Sequence, residues 1–470
     1  MGARGRRTLL AAAAALLVLG CAEADDEADQ PTTEEPAEEE ADPADDPAEE
    51  EPADDPAEEE PADDPADDEA EPGDPTAAVA PVAAMDCEPD ATPDGEPIVV
   101  GGSMSLTGPL APTGTIHDAV ADLVVDWVND CGGLLGRPLE WEVLDDQSAP
   151  DQAASNYERL IGRDVDLVMG PYAGANILAA AGPVARAGYI YPTHTNGSPE
   201  QLIGDNHFPS WQIGGGAEDP EEIFRAAASG LWEALESTGT PPETMFFATA
   251  RFPTTLSLAG ATQAIAEAGG AETVDFVEYD LGTSDFSSIA LRISAADPDF
   301  VYLGVLGADA VEFFDAFEAI GYEPKGVYAA LPAPATLPAI GPAVEGLMVL
   351  SIYENHPPFT DDPIASDFAE RFLPLADERS LFPVIETQAA ASMGAWQILL
   401  TAVAETGETD NAVLQDWLNA NAVSSIAGEL TFDGWNNYGS DMNRVTQIQN
   451  GDRVVVWPSE FAAADVVYER

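Results

Sequence analysis

The sequence predicts an α/β fold built from two doubly wound, parallel-sheet lobes. From residue 97 onward, short apolar runs rich in β-branched residues alternate with segments of helical periodicity, and this pattern requires a parallel sheet covered on both faces. The alternation occurs in two successive series. Roughly 380 residues follow a long acidic stretch, which is too many for one doubly wound sheet and fits two.

The first residues have the pattern of an export signal. Three arginines precede an apolar run from Leu9 to Leu19, which is too short to span a membrane in the mature protein. The run ends at Val18-Leu19-Gly20-Cys21, which resembles the lipobox of bacterial lipoproteins. The resemblance implies a lipoprotein signal peptide over residues 1–21 and a lipid on Cys21 that anchors the protein to the outer face of the cell membrane. A plain secretory signal with a chance cysteine is the alternative.

Residues 22–86 are predicted to form an acidic, disordered tether. This stretch holds 29 Asp or Glu and no Lys or Arg, in near-repeats of PAEEEPADD. Dense like charge and regular proline prevent a packed core, so the segment is expected to hold a folded body away from its anchor. Metal buffering by the carboxylates is the alternative, but the spacing lacks a calcium-loop pattern.

The net charge excludes two classes of partner. Of the formal charge of −71, residues 87–470 contribute −45, and Lys325 is their only lysine. Nucleic acid and anionic membrane surfaces are poor partners for such a field. The acidity is typical of proteins from salt-adapted organisms and also of a generally acidic bacterial proteome, and both explanations stay open.

Two of the three cysteines are predicted to pair with each other. Cys87 precedes the first strand and Cys131 ends the first helix, so in an exported protein they can form a disulfide. In the chain-entropy model such a bridge adds about 4 kcal/mol to stability. A zinc site is not expected, since no CxxC motif or His pair accompanies them.

The expected elements follow from apolar periodicity and turn residues. In the first series, strands are expected at 98–101, 139–144, 165–169 and 189–191, and helices at 116–129, 151–163 and 176–187, with Asp151 as an N-cap. In the second series, helices are expected at 221–237, 255–268, 286–296 and 309–320, and strands at 245–248, 274–279, 300–304 and 327–330. A third portion has strands at 346–352, 429–432, 444–448 and 454–457 and helices after Asp362, after Ile385 and around Trp417.

Two loops of the first series are expected to form neighbouring rims of one crevice. Ligands of open α/β sheets bind outside the carboxyl ends of the strands, which here means Tyr172 to Ala175 and Thr193 to Gly197. Ala173 and Gly174 are small enough to let a ligand approach backbone N–H groups at the start of the next helix. An ordinary αβ turn is the alternative.

Several dispersed motifs resemble those of one family. They are PIVVG at 97–101, SLTGP at 105–109, VNDCGGLLGR at 128–137, DD at 145–146, VMGP at 168–171, TSDFS at 283–287, DFVYLG at 299–304 and GLMV at 346–349. In this order they resemble the branched-chain amino acid type substrate-binding proteins, which are type I periplasmic binding proteins that feed ABC importers. The resemblance implies a monomer without a cofactor that closes two lobes on a small ligand and delivers it to a membrane permease.

The resemblance also implies the division of the chain. Lobe 1 would hold 87–212 and 350–442, and lobe 2 would hold 213–349 and 443–470. The three crossings between the lobes are expected near Gln212, Leu350 and Asn443.

The ligand residues carried over from the family depart from its pattern. Gly174 stands in place of a serine that contacts the ligand carboxylate, Thr113 in place of a tyrosine, Leu306 in place of an aromatic residue and Leu331 in place of the acid that meets the ammonium. An unpaired buried ammonium costs several kcal/mol. We therefore expect the ligand to be an amide, an aromatic acid or a short-chain acid in preference to an amino acid.

The remaining candidates are aromatic and neutral polar side chains. Tyr172, Trp211 and Phe252 offer apolar faces, with ordinary core packing as the alternative for each aromatic, and Thr195, Asn196 and Thr254 offer neutral hydrogen bonds. Asp309 is an alternative acidic partner or an N-cap.

The sequence contains none of three common enzymatic motifs. There is no GxSxG elbow, Walker loop or HExxH, and the four histidines, His117, His194, His207 and His356, are scattered. His194 lies in the crevice loop. Its functional alternatives are a contact with the ligand or, together with a serine, a hydrolase site. The structural alternative is hydrogen bonding to backbone groups of the loop. A receptor that reports ligand occupancy to a membrane sensor would need the same closing motion as an importer.

Overall fold

The computed structural model describes residues 92–194, 204–212, 224–434 and 437–468. All of these belong to one compact unit, Pro72–Arg470. The predicted signal peptide, the tether, Cys21, Cys87 and crevice-loop residues Thr195 and Asn196 lie outside the described residues. Within the described ranges, no helix is both long and apolar enough to cross a membrane.

The first sheet is parallel and has β1 at its centre. Its elements are β1 (Ile98–Met104), α1 (Ala111–Asp130), β2 (Leu139–Asp145), α2 (Pro150–Ile161), β3 (Leu167–Met169) and α3 (Gly174–Ala187). Strand β1 pairs with β2 on one side and β3 on the other. A separate parallel pair, β4 (Tyr191–Thr193) and β5 (His207–Pro209), follows, and β5 was not expected from the sequence.

The second sheet has seven strands in the order β14-β13-β10-β9-β8-β6-β7. Its elements are α4 (Arg225–Ser237), β6 (Thr244–Ala250), α5 (Pro253–Ala268), β7 (Glu272–Tyr279), α6 (Ser287–Ala296), β8 (Phe300–Gly307), α7 (Asp309–Ile320), β9 (Val327–Pro332), β10 (Met348–Ser351), β13 (Arg444–Gln449) and β14 (Asp452–Trp457). Strands β6 to β10 are parallel, and the β13–β14 hairpin adds an antiparallel edge. The two sheets with helices around them confirm the α/β class.

The segment between β10 and β13 packs against the first sheet's helices. It contains α8 (Pro363–Glu378), α9 (Thr387–Thr406), α10 (Asn411–Leu418) and the antiparallel pair β11 (Val423–Ser425) and β12 (Gly428–Leu430). Helices α8 and α9 both contact α1, and α9 also contacts β4 and β5. The chain therefore leaves the first sheet, builds most of the second and returns.

Helix α9 is the central core element of the first lobe. Every residue from Thr387 to Val403 except Gln388 is buried, as expected for a helix whose residues are mostly apolar on all sides. Its Trp396 is fully buried and meets the Trp141 ring edge-on, with 5.6 Å between centroids. Trp141 lies across Gly102 of β1, where a Cβ atom would come within 1.9 Å of the ring, so only glycine fits there.

Two N-cap predictions were wrong, and proline explains the first. Helix α2 starts at Pro150 with Ala149 as its N-cap, so Asp151 lies in the first turn instead. Proline suits that position because its missing N–H would have no intrahelical partner anyway. Helix α7 has Ala308 as its N-cap and Asp309 as its first residue, and the Asp309 carboxylate accepts a hydrogen bond from the Tyr279 hydroxyl at 2.9 Å.

Cys131 stands at the carboxyl end of α1, is buried and takes part in a disulfide. Since Cys87 lies outside the described residues, its pairing with Cys131 stays a prediction.

Candidate functional site

The carboxyl ends of β3 and β4 lie side by side. The Gly170 N–H donates to the Pro192 carbonyl at 2.7 Å, and a Cβ atom on Gly170 would lie 2.5 Å from the Thr193 methyl carbon. Glycine is therefore required where the two strand ends meet. This contact places the residues that follow β3 next to the end of β4, as the prediction of two neighbouring crevice rims requires.

The turn into α3 carries backbone strain at this rim. Ala173 is the N-cap of α3 and has φ 72°, a conformation that a residue with a Cβ rarely adopts and that costs about 1–3 kcal/mol. Gly174 is half-buried and Ala175 exposed at the first turn, where backbone N–H groups have no intrahelical acceptor. These donors suit a polar or anionic ligand group.

A buried carboxylate fixes the end of β1 beside this turn. Asp146 accepts hydrogen bonds from the Ser105 hydroxyl at 2.6 Å and from the Ser148 N–H at 2.8 Å. The Asn176 amide of α3 reaches the same Ser105 hydroxyl at 3.4 Å. Burial raises the pKa of Asp146, and the Ser105 hydroxyl opposes that rise. These contacts give the 105–109 and 145–146 motifs a positioning role that their spacing alone does not reveal.

Two buried histidines lie behind Tyr172. The ring of His117 on α1 lies 5.1 Å from the Tyr172 ring and 4.2 Å from the His194 ring, centroid to centroid. Burial and the neighbouring His194 hold the pKa of His117 well below its usual range, and burial lowers the pKa of His194 to about 3. Both imidazoles are therefore neutral at physiological pH. Burial also raises the pKa of Tyr172, while the Thr113 side chain lowers it, which places those two candidates together.

Glu386 is an acidic group of this region that sequence reasoning missed. It is the N-cap residue of α9, is 6% exposed, and its Oε1 has no hydrogen-bond partner among the described residues. Burial raises the pKa of Glu386 to about 7, against the lowering effect of the Gln388 backbone N–H and of Arg453. Its charge contributes to the raised pKa of Tyr172. A Glu at the start of a largely apolar helix is the sequence signal that could have drawn attention to it.

The second-lobe candidates follow two neighbouring strands. Leu306 at the end of β8 pairs in register with Leu331 on β9, and both side chains are half-buried. Thr254 is buried in the first turn of α5, and Phe252, its N-cap residue, is 37% exposed. Trp211 is packed in the main core at 3% exposure, which is the packing role that the sequence left open.

In the described part of the chain, no group of three or more His, Cys, Asp or Glu side chains is placed to hold a metal ion.

The sequence pattern that defines the family "Periplasmic binding protein" matches residues 97–452 of this chain. The chain belongs to this family. Its type I members serve as solute-binding proteins of ABC transporters, as the sequence resemblance indicated.

Individual relatives of this binding protein are distant. The chain is 26% identical over 207 residues to the Leu/Ile/Val-binding protein BraC3 of Rhizobium johnstonii, covering 44% of this chain and 54% of that protein. It is 21% identical over 345 residues to a leucine-, isoleucine-, valine-, threonine- and alanine-binding protein of Pseudomonas aeruginosa, covering 70% of this chain and 83% of that protein. The first of these matches therefore spans only about half of the relative.

Among solved structures, the solute-binding protein of an ABC transporter from R. palustris in complex with benzoate is similar to this chain. Its TM-score is 0.61 at 20% identity, and the match covers 80% of this chain and 98% of that one. This likeness supports the fold.

Proposed function

We propose that this protein is an extracytoplasmic solute-binding protein that captures a small polar or amphipathic organic solute between its lobes and delivers it to an ABC import permease. The observation that carries the proposal is the family match, which extends over both sheets. The relatives named above bind branched-chain amino acids, and a structural neighbour binds benzoate.

The crevice residues favour a ligand with one polar and one apolar end. The polar end would meet the N–H groups around Gly174 and Ala175, with the Tyr172 ring beside it. The apolar part would lie against Leu306 and Leu331 when the lobes close. Amides, organic acids and amino acids all have this form. Glu386 supplies an acidic side chain, which this sequence lacks at Leu331, the position of the family's acid.

Anchoring and delivery complete the proposal. A lipid on Cys21 and the tether at 22–86 would hold the folded body near the membrane, and the closed form would dock on the permease. Closure requires only that the ligand bind the closed state more tightly than the open state, because this difference in affinity shifts the population toward the closed state.

A ligand screen tests this function. Thermal-shift measurements on the full chain against amino acids, amides, aromatic acids and short-chain acids should identify a stabilising compound, because a ligand at a hundred times its Kd adds about 2.7 kcal/mol. Calorimetry on Tyr172→Ala should then show weaker binding of that compound. Tyr322→Ala, which removes a half-buried tyrosine of the second lobe, is the matched control. If no compound stabilises the protein, or if Tyr172→Ala binds every stabilising compound normally, the crevice proposal fails.

A further inference from the structure

A large cavity has walls that include none of the predicted crevice residues. Its volume is about 1080 Å³, and its walls come from the segment after β9, the segment between β10 and α8, helix α8, the segment between α8 and α9, the β13–β14 turn and the chain after β14. We call it the side cavity. None of the predicted ligand residues lines it, so the crevice proposal does not explain it.

One arginine in this cavity is held in place by a buried acid. The Arg453 Nε atom lies 2.7 Å from Glu354 Oε1, and the two side chains are 15% and 6% exposed. The Ser351 hydroxyl donates to the same Glu354 oxygen at 3.1 Å, which fixes the carboxylate. Burial raises the pKa of Glu354, and Arg453 opposes that rise, as expected for a paired buried charge.

The guanidinium has donors to spare. Among the residues that the structure describes, the Arg453 terminal amino groups donate no hydrogen bond, since its contact with Glu354 is through Nε. The flat fork of two amino groups matches the two oxygens of a carboxylate, and Glu354 already sets its orientation.

The remaining walls are largely apolar. They include Val344, Leu373, Phe382, Val384, Ile385 and Val454. Apolar walls with one convergent charged group are the usual composition of a small-molecule site. The combination suits an organic acid whose hydrocarbon part fills the cavity and whose carboxylate reaches the arginine.

Acidic groups near the cavity oppose an anion only weakly. Asp361, Asp452 and Glu460 line it but are exposed, so salt screens them, whereas the pairing at Arg453 is buried. Glu386 adjoins the lining residue Ile385, and burial raises its pKa to about 7, so part of its population is uncharged at neutral pH. His356 contacts the Pro357 carbonyl through Nδ1 at 2.7 Å, and the Val455 N–H donates to its Nε2 at 3.4 Å.

We propose that the side cavity is a second ligand site, separate from the crevice, which takes a monocarboxylate with an apolar body and binds its carboxylate through Arg453. Benzoate and benzamide are matched probes, because they share a ring and differ in charge. Calorimetry on the full chain should show benzoate binding about tenfold or more tightly than benzamide. Affinity for benzoate should not fall between low and molar salt, since screening also removes the repulsion from the exposed acids.

Variants assign the binding to this cavity. Arg453→Gln combined with Glu354→Gln avoids a lone buried carboxylate and should weaken benzoate binding about tenfold or more. Val384→Trp fills the cavity and should block benzoate without removing a charge. Tyr172→Ala is the control and should leave benzoate affinity unchanged.

Two outcomes would overturn this inference. One is benzoate binding that survives both the double variant and Val384→Trp. The other is equal affinity for benzoate and benzamide in the unmodified protein. Loss of benzoate binding in Tyr172→Ala alone would place benzoate in the crevice, which rejects the second site and supports the proposed function.

Discussion

The buried His194 makes the stability of the folded protein depend on pH in a defined direction. Burial lowers its pKa to about 3, whereas an exposed histidine in the unfolded chain titrates near 6.5. Between these values the unfolded state binds a proton that the folded state does not. Stability is therefore lost as pH falls below about 6.5, with a slope of about 1.4 kcal/mol per pH unit for one such group.

The magnitude can be worked out for two convenient pH values. From pH 7 to pH 5 the single group lowers the free energy of unfolding by about 2 kcal/mol. His194→Gln removes the titrating group, and the glutamine amide can still donate to the Pro171 backbone carbonyl, the hydrogen-bond partner that opposes the lowering of the His194 pKa. The variant should therefore show a fall in stability between pH 7 and pH 5 that is smaller by about 2 kcal/mol.

Urea unfolding of the full chain at the two pH values measures this difference. Tyr172→Phe is the control, because it alters the same cluster without removing a group that titrates in this range. Its fall between pH 7 and pH 5 should match that of the unmodified protein. If His194→Gln shows the same fall as the unmodified protein, the assignment of a neutral, buried imidazole is wrong.

Four further predictions follow from other parts of the molecule. In urea unfolding, Glu386 should make the native protein lose about 2.5 kcal/mol of stability between pH 5 and pH 8, because its raised pKa of about 7 favours the protonated acid in the folded state, and Glu386→Gln should remove that loss; an unchanged difference would contradict the burial of this carboxyl. Trp396→Ala should cost about 3–5 kcal/mol, while Leu291→Ala at a 56% exposed position should stay within about 0.5 kcal/mol. Non-reducing mass spectrometry should find Cys87 joined to Cys131, and two free thiols would exclude the bridge. The melting temperature should rise from low to molar salt, because −45 charges on residues 87–470 repel one another; a flat curve would assign no stabilising role to screening.

Local sequence patterns were sufficient to predict most of the helices and strands. The helix expected from Asp309 to Ile320 has those bounds, because its apolar period and the following Gly321 mark both the face and the end. Strands β5 and β11 were missed: each has only three residues, and neither lies in a longer apolar run of the kind that marked the equally short β3. The resemblance carried two ligand positions to Leu306 and Leu331, and the structure pairs these residues in register on β8 and β9.

The candidate site also contains some residues that the sequence predicted and others that it did not. Sequence spacing identified the loop from Tyr172 to Ala175, because the end of a parallel strand is readable from one short stretch. It did not reveal Glu386, the His117–His194 contact or the Arg453–Glu354 pair. Each of these joins segments far apart in the chain, and a polar residue carries no local sign of whether it will be buried.

By itself, the sequence determined the α/β class, the acidic composition and the family, since these depend on local periodicity, on residue counts and on motifs in a set order. Only the tertiary structure decided which polar groups lie in the core. The packing of α9 against α1 and the first-lobe strands places Glu386 near Tyr172, and the β13–β14 hairpin places Arg453 on Glu354. Burial then changes the charge and hydrogen-bonding needs of these groups, and burial is a property of the assembled fold.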